Sequence, residues 1–287
     1  MLGRQHDGMK TPPTSNTQSP SQSSQARAAP EFSRAASHRP AQPVQLEAVW
    51  ARHADEVAAA QRLRYQVFCS EMGAGLSVLP GTPADQDIDE FDNHCEHLLV
   101  RTVETPGRAS EVVGTYRVLT PGGARIAGRL YSDGEFDLGA LDALRPRMAE
   151  LGRSCIAPAW RQGGVILMLW STLAEFMHRN QLDLMVGCAS VSMHDGGHCA
   201  ASLWRSLSRT HLAALERQVS PRLPLPVDEL NQALDVEPPA LIKGYLKCGA
   251  KVLGAPAWDP EFGCADLPKL LDLADLPPAY RRRFLGI

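Results

Sequence analysis

Between Met148 and Val191 the chain reads as strand, glycine turn, helix and strand, an order that few folds accommodate. Met148–Ala157 has the make-up of a central strand, and Leu182–Val191 is a strongly apolar run of strand length. Between them, Gln162–Arg179 repeats Ile166, Leu169, Trp170, Leu173, Phe176 and Met177 at helical spacing. This predicts a helix with one continuous apolar face. Two strands joined through such a helix pair in parallel, as a βαβ unit.

The flanking segments set this unit inside a larger sheet. Val44–Trp50 alternates like a first strand, and Asp55 to about Glu71 places Val57, Ala60, Leu63 and Val67 at helical spacing. A loop over Met72–Pro83 and an acidic stretch over Asp85–Asp92 follow. His97–Glu104 and Glu111–Thr120 predict two adjacent strands joined by a Pro-Gly turn. Leu138–Leu144, Cys199–Leu212 and Pro238–Lys247 read as helices, Pro221–Pro226 as a loop, and the C-terminal stretch as strand, turn, strand and a short end piece. The expected architecture is one α/β domain over residues 43–287, with an antiparallel front and a mixed central sheet flanked by helices. Residues 1–42 are rich in Ser, Pro and Gln and poor in large apolar residues, which predicts a disordered tail.

The net charge of -3 argues against a general nucleic-acid binder. Seven cysteines without a Cys-x-x-Cys pair fit a reducing, cytoplasmic setting better than a disulfide framework. No apolar run is long enough to span a bilayer. Arg281-Arg282-Arg283 followed by Phe284 and Leu285 would suit a peripheral contact with an anionic membrane at its inner face.

Several groups of residues suggest chemistry. In Arg161-Gln162-Gly163-Gly164, a strand hands over to a helix N-terminus, where free backbone N–H groups and glycine allow a phosphate to approach. The same residues also suit an ordinary tight turn. Asp89 and Asp92 can hold cationic groups or belong to a solvated acidic loop. Asp85, Asp87, Asp89 and Glu96 also fall on a calcium-loop template, but Glu90 stands where such a loop has glycine. Arg117 lies within a half-buried strand and needs a carboxylate, from substrate or from a protein group such as Asp92. Glu150 is a candidate base, or a structural partner of Arg153 if a bulge near Gly152 brings them together. Trp170, Leu173 and Phe176 form a stripe that reads as core or as the wall of an apolar slot. Cys155 reads as a small buried hydrophobe, and His194 with His198 lacks a third metal ligand.

The Arg161–Ile166 turn resembles the pyrophosphate loop of GNAT acyltransferases, matching at Arg161 and Gly164 and departing at Ile166. Arg64 with Phe68, Asp89 with Asp92, Arg117, and Glu150 with Arg153 resemble, in order, the motifs of acyl-homoserine-lactone synthases. The tryptophan that those enzymes place after the helix motif is absent from Glu71–Val78. The chain is more similar to the L-ornithine Nα-acyltransferases, through Arg64–Phe68, Asp89–Asp92, Cys95–Val100, Gly114–Arg117, Ser132–Asp137, Glu150–Cys155, Leu169-Trp170 and Gly187–Ser190.

That resemblance implies a GNAT-like acyl-CoA N-acyltransferase fold with no bound cofactor and an acyl carrier protein thioester as donor. L-ornithine would be the acceptor and lyso-ornithine lipid the product. It implies catalytic roles for Glu150 and Arg153, substrate binding by Arg64, Phe68, Asp89, Asp92 and Arg117, and phosphopantetheine binding by Arg161, Gly163 and Gly164. The oxyanion would be held by a backbone N–H near Cys155–Ile156, at a splay of the strands. Arg205, Arg209, Arg217, Arg222, Lys243, Lys247 and Lys251 would offer a basic face to an acidic carrier. A related synthase with another acceptor, or a catalytically silent binding module, are the competing readings.

Overall fold

A computed structural model describes residues 44–75, 81–162 and 164–286. The expected tail lies outside these residues. Ten strands run in chain order as β1 (Leu46–Trp50), β2 (Glu96–Thr102), β3 (Val112–Leu119), β4 (Phe136–Asp137), β5 (Met148–Ile156), β6 (Leu184–Ser192), β7 (Ser220–Pro221), β8 (Lys251–Val252), β9 (Ala257–Asp259) and β10 (Cys264–Asp272). The helices are α1 (Ala54–Tyr65), α2 (Pro121–Ala127), α3 (Val165–Arg179), α4 (His198–Thr210), α5 (Ala240–Lys247) and α6 (Pro278–Leu285).

The main sheet runs β1-β2-β3-β5-β6-β10-β8, with β9 also on β10, while β4 and β7 form a separate two-stranded ribbon. Every pairing in the main sheet is antiparallel except β5 with β6, the two strands that α3 joins. The expected antiparallel front and βαβ centre are both present. Helix α3 buries Val165, Leu169, Leu173, Ala174 and Met177. Three of its neighbours in that core are Leu98, Val118 and Leu151. Gly114 on β3 admits the helix start, because a Cβ there would lie 2.6 Å from the Val165 side chain. Residues of alternate parity face the other way. Met148, Leu184, Val186 and Leu270 accordingly join a second core with Phe91, Leu130, Phe136 and Leu141.

Two expectations need correction, and one helix was not expected. The helix predicted to run to Glu71 changes at Gln66 into a π-helical stretch, Gln66–Glu71, with Met72 N–H bonded to Val67 O. Arg64 lies buried in the last turn of α1, and Phe68 lies half-buried in the π-helical stretch. The Pro121-Gly122-Gly123 segment begins α2, a helix that the sequence reading did not include. Thr120 caps it by accepting from Gly123 N–H, and Gly123 is tight because a Cβ would lie 2.2 Å from His94 O. Phe284 is buried against Trp170 rather than presented to a membrane. Among the described residues, no helix is long and apolar enough to cross one.

Strands β5 and β6 pair only from Met148↔Leu184 to Glu150↔Val186, although both continue for several residues. The last close approach is at Gly187, where a Cβ would stand 2.3 Å from Leu151 O. Gly187→Ala must push the strands apart at this point, and we expect a loss of about 1–3 kcal/mol of stability in urea unfolding, as for other overpacked sites.

Candidate active site

Beyond Glu150 the two parallel strands diverge, and a cavity of about 580 Å³ fills the gap. It is lined by Glu150–Ile156 of β5 and by Cys188, Ala189 and Ser190 of β6, and it reaches both faces of the sheet. On the α3 side its wall is apolar and aromatic, with Ile166 and Trp170 of α3 and Leu241, Gly244 and Tyr245 of α5. Trp170 stacks on Tyr245 at 5.4 Å, and the Tyr245 and Tyr116 hydroxyls are hydrogen-bonded. On the opposite face the lining is acidic. Asp266 pairs in register with Ser190, and Cys264 with Asp259, which puts them on the face of Glu150 and Cys188.

Glu150 is buried, and each carboxylate oxygen accepts a backbone N–H: Tyr131 at 2.6 Å and Ser132 at 2.7 Å. Burial raises its pKa against these bonds, which favour the charged form. Glu150 has no bond to Arg153, so the proposed structural pair does not form. A bulge near Gly152 is indeed present, as the β3–β5 register shifts there. It holds Arg153 in the left-handed region at φ 47° and turns it elsewhere.

Arg153 goes to Asp89 at 3.1 Å and lies 3.4 Å from Asp87. Its guanidinium also covers the rings of Tyr131 and Phe262, at 4.9 and 4.7 Å. Arg64 is 1% exposed and binds Asp92 through two nitrogens, at 2.7 and 2.9 Å, and Asp87 at 2.9 Å. Arg117 binds Asp89 at 2.6 Å and approaches Asp92 at 3.5 Å. The acidic pair expected to hold substrate amines is thus occupied by the protein's own arginines, and neither residue lines the cavity. The same pairings leave no calcium loop. Burial would raise the Asp92 carboxyl, but the bonds and charge of Arg64, with Arg117, hold it far below the usual range. Asp89 is lowered likewise, by Arg117 and Arg153 outweighing burial. His97 is buried, accepts no role in the cavity lining, and contacts Asp92 O at 3.0 Å.

Phe68, Arg117, Arg153 and Arg161 line the cavity, whereas Arg64 stands behind it. Arg161 is held by Glu71 through two bonds of 2.6 Å and also donates to Ile156 O. Gly164 caps α3, and Gly163 lies outside the described residues. Of the apolar stripe only Trp170 reaches the cavity: Leu173 is core, and Phe176 packs on Trp50 at 4.4 Å. Cys155 is buried, and burial pushes its thiol up to about 12, which makes it a poor nucleophile.

Glu135, Asp259 and Asp266 were not singled out as site residues. Asp266 is legible only as an acid inside an otherwise apolar strand, and Glu135 only as part of the Ser132–Asp137 segment. Burial, then the charge of Asp266, pushes the Glu135 carboxyl up to about 8. Burial pushes Asp266 up to about 6, against hydrogen bonds from Ser190 and Cys264.

A sheet opened between two parallel strands after a βαβ crossover is the architecture of the GNAT class of N-acyltransferases. The acetyltransferase (GNAT) domain model matches residues 63–171. An L-ornithine N(alpha)-acyltransferase of Brucella abortus is 32% identical over 247 residues, covering 82% of this chain and 87% of that protein. One from Rhodobacter capsulatus is 35% identical over 253 residues, covering 84% and 95%. The chain belongs to the L-ornithine N(alpha)-acyltransferase family. Among solved structures, FeeM, an N-acyl amino acid synthase from uncultured soil microbes, aligns over 85% of this chain and 97% of its own at 13% identity, with a TM-score of 0.49.

Arg64 is the test of the buried network. Arg64→Met leaves Asp87 and Asp92 without their main cation, and we expect a loss of about 3–5 kcal/mol at pH 7. Asp92 has a folded pKa below its unfolded value of about 4, so its contribution is full above that value and fades as pH falls below it. Urea unfolding should therefore show the gap between wild type and variant narrowing from pH 7 to pH 3.

Proposed function

We propose that the protein transfers a long-chain, 3-hydroxylated fatty acyl group from the phosphopantetheine thioester of an acyl carrier protein to the α-amine of L-ornithine, giving lyso-ornithine lipid. The observation that carries this reading is the cavity through the sheet, acidic on one face and apolar on the other. An acyl thioester suits the α3 side, and an amino acid with two amines suits the opposite side. They meet at the gap where β5 has parted from β6.

The reaction needs a neutral amine, because a protonated α-amino group has no lone pair to attack with. Glu150 stands at the start of the gap, with its pKa raised by burial, and takes this proton directly or through water. The amine nitrogen then bonds to the thioester carbon. The oxyanion is held by a backbone N–H of the Cys155–Ile156 stretch on β5. Collapse breaks the carbon–sulfur bond, and the departing thiolate takes up the second proton that the acylated nitrogen gives up. Phe68 and Trp170 border the acyl chain. The Nε1 of Trp170 is enclosed and unpartnered, and a hydroxyl on the chain would satisfy it.

The donor enters past Arg161 and Gly164 at the start of α3. A carrier protein offers one phosphodiester there, which asks less of the loop than a pyrophosphate does. Arg205 and Arg209 on α4, Lys247 at the end of α5 and Lys251 on β8, all exposed, suit an acidic partner.

The test is to incubate the full chain with a long-chain 3-hydroxyacyl carrier protein and a panel of amino acids, following thiol release and product mass. Mono-acylated ornithine is the expected product. Release with a different acceptor would move the substrate, and no release from a folded protein would leave a binding module. Glu150→Gln should lower kcat by about a hundred- to ten-thousandfold, with little change in the KM for the acyl donor.

A further inference from the structure

We infer that Glu135, Asp259 and Asp266 form the subsite for the side-chain ammonium of the amino-acid substrate and set the enzyme's preference for a diamino acid. This rests on the proposed function and names the part of the same site that selects the acceptor.

The three acids come together on the cavity face opposite α3 from separate parts of the fold. Glu135 precedes β4, Asp259 ends β9 and Asp266 lies within β10. Ligating atoms of Asp259, Cys264 and Asp266 lie within 4.8 Å of one another. None of the three carboxylates forms an ion pair with a described residue, although Asp87, Asp89 and Asp92 a short distance away all do. Asp266 is 3% exposed. Its thiol neighbour Cys264 lies at 3.7 Å, a weak donor for a carboxylate. Glu135 adds an orphan: its Oε2 is shut off from solvent and meets no hydrogen-bond donor. Enclosed carboxylates without a cation are costly unless a ligand supplies one.

The surrounding charges leave that position open. Arg153 is engaged by Asp89 and by the rings of Tyr131 and Phe262. Lys269 lies on the other face of the sheet, over the Tyr245 ring at 4.1 Å. Burial and like-charge repulsion raise both carboxyls, and an arriving ammonium would favour their ionised forms. A line of contacts joins Glu150 to Asp266: Ser132 N–H binds Glu150, Ser132 Oγ lies 3.4 Å from Cys188 Sγ, Cys188 is hydrogen-bonded to Glu135, and Glu135 feels the charge of Asp266. One end of that line takes the α-amine at the gap, and the other takes the second amine of the same molecule.

The experiment compares L-ornithine with L-norvaline, which has the same carbon chain without the second amine, in wild type, Asp266→Asn and Glu135→Gln. Wild type should prefer ornithine in kcat/KM, and either variant should lower the ornithine-to-norvaline ratio by about ten- to a hundredfold, the worth of a charged hydrogen bond. A merely structural role would lower both substrates alike and leave the ratio in place, which would overturn the inference. So would a wild type that does not distinguish the two, or a preference abolished by EDTA, which would assign the acids to a metal ion. Asp259→Asn, at a less buried position, serves if the other variants do not fold. If wild type acylates no amino acid, the proposed function fails, and calorimetry with 1,4-diaminobutane then reads the subsite by itself. Heat in wild type that Asp266→Asn abolishes would sustain it, and no heat in wild type would overturn it.

Discussion

Three arginines and three aspartates neutralise one another beneath the cavity, and much of the site's shape depends on them. Arg64 comes from α1, Arg117 from β3 and Arg153 from the bulge of β5, while Asp87, Asp89 and Asp92 all come from the segment before β2. That segment has few apolar residues with which to anchor itself, and the arginines do it instead. Taking such ions out of water is expensive, and only full pairing makes the burial tolerable. Arg153 also carries backbone strain, because a left-handed conformation costs a β-carbon residue about 1–2 kcal/mol. Its pairing with Asp89 and its cover over Tyr131 and Phe262 offset that strain and fix the bulge. The bulge lies where β5 leaves β6, so the ion cluster and the open gap are one construction.

The gap gives two unlike molecules access to one point. Strand alternation places aromatic and apolar groups on the α3 side and carboxylates on the other. A chain confined to one face of an intact sheet could not meet a partner on the other. Opening the sheet between its two parallel strands solves this without a hinge, and Gly187 marks the last residue where the strands still touch. Glu150 sits at that boundary, held by the backbone of Tyr131 and Ser132, which gives a single carboxylate a fixed direction into the gap.

The sequence showed the frame more clearly than it showed which charges neutralise which. The period of α3, the apolar run of β6 and the antiparallel front follow from local pattern, and the structure has them. Arg64, Asp89, Asp92, Arg117 and Arg153 were legible as a group, yet their division of labour was not. Arg64 meets Asp92 across 28 residues and Arg153 meets Asp89 across 64, and no local spacing encodes such pairs. The helical character of Asp55–Glu71 was legible, but not its change to a π-helical stretch at Gln66, which regular helical spacing cannot anticipate. Helix α2 was hidden because proline and glycine, which usually signal a turn, here serve as a first helical residue and as a close contact with His94 O.

Buried charge with a counter-ion and buried charge without one carry different information. Asp92 is satisfied, and its low pKa records a partner already present. Asp266 and Glu135 are enclosed to a comparable degree, but their raised values record the lack of one. A protein that needed only stability would do better with apolar groups at those two positions. Retaining acids there is reasonable if the folded enzyme spends much of its time with a cation bound among them. The residues most visible as motifs therefore build the wall, and the less conspicuous acids of β9, β10 and the β4 approach line the cavity.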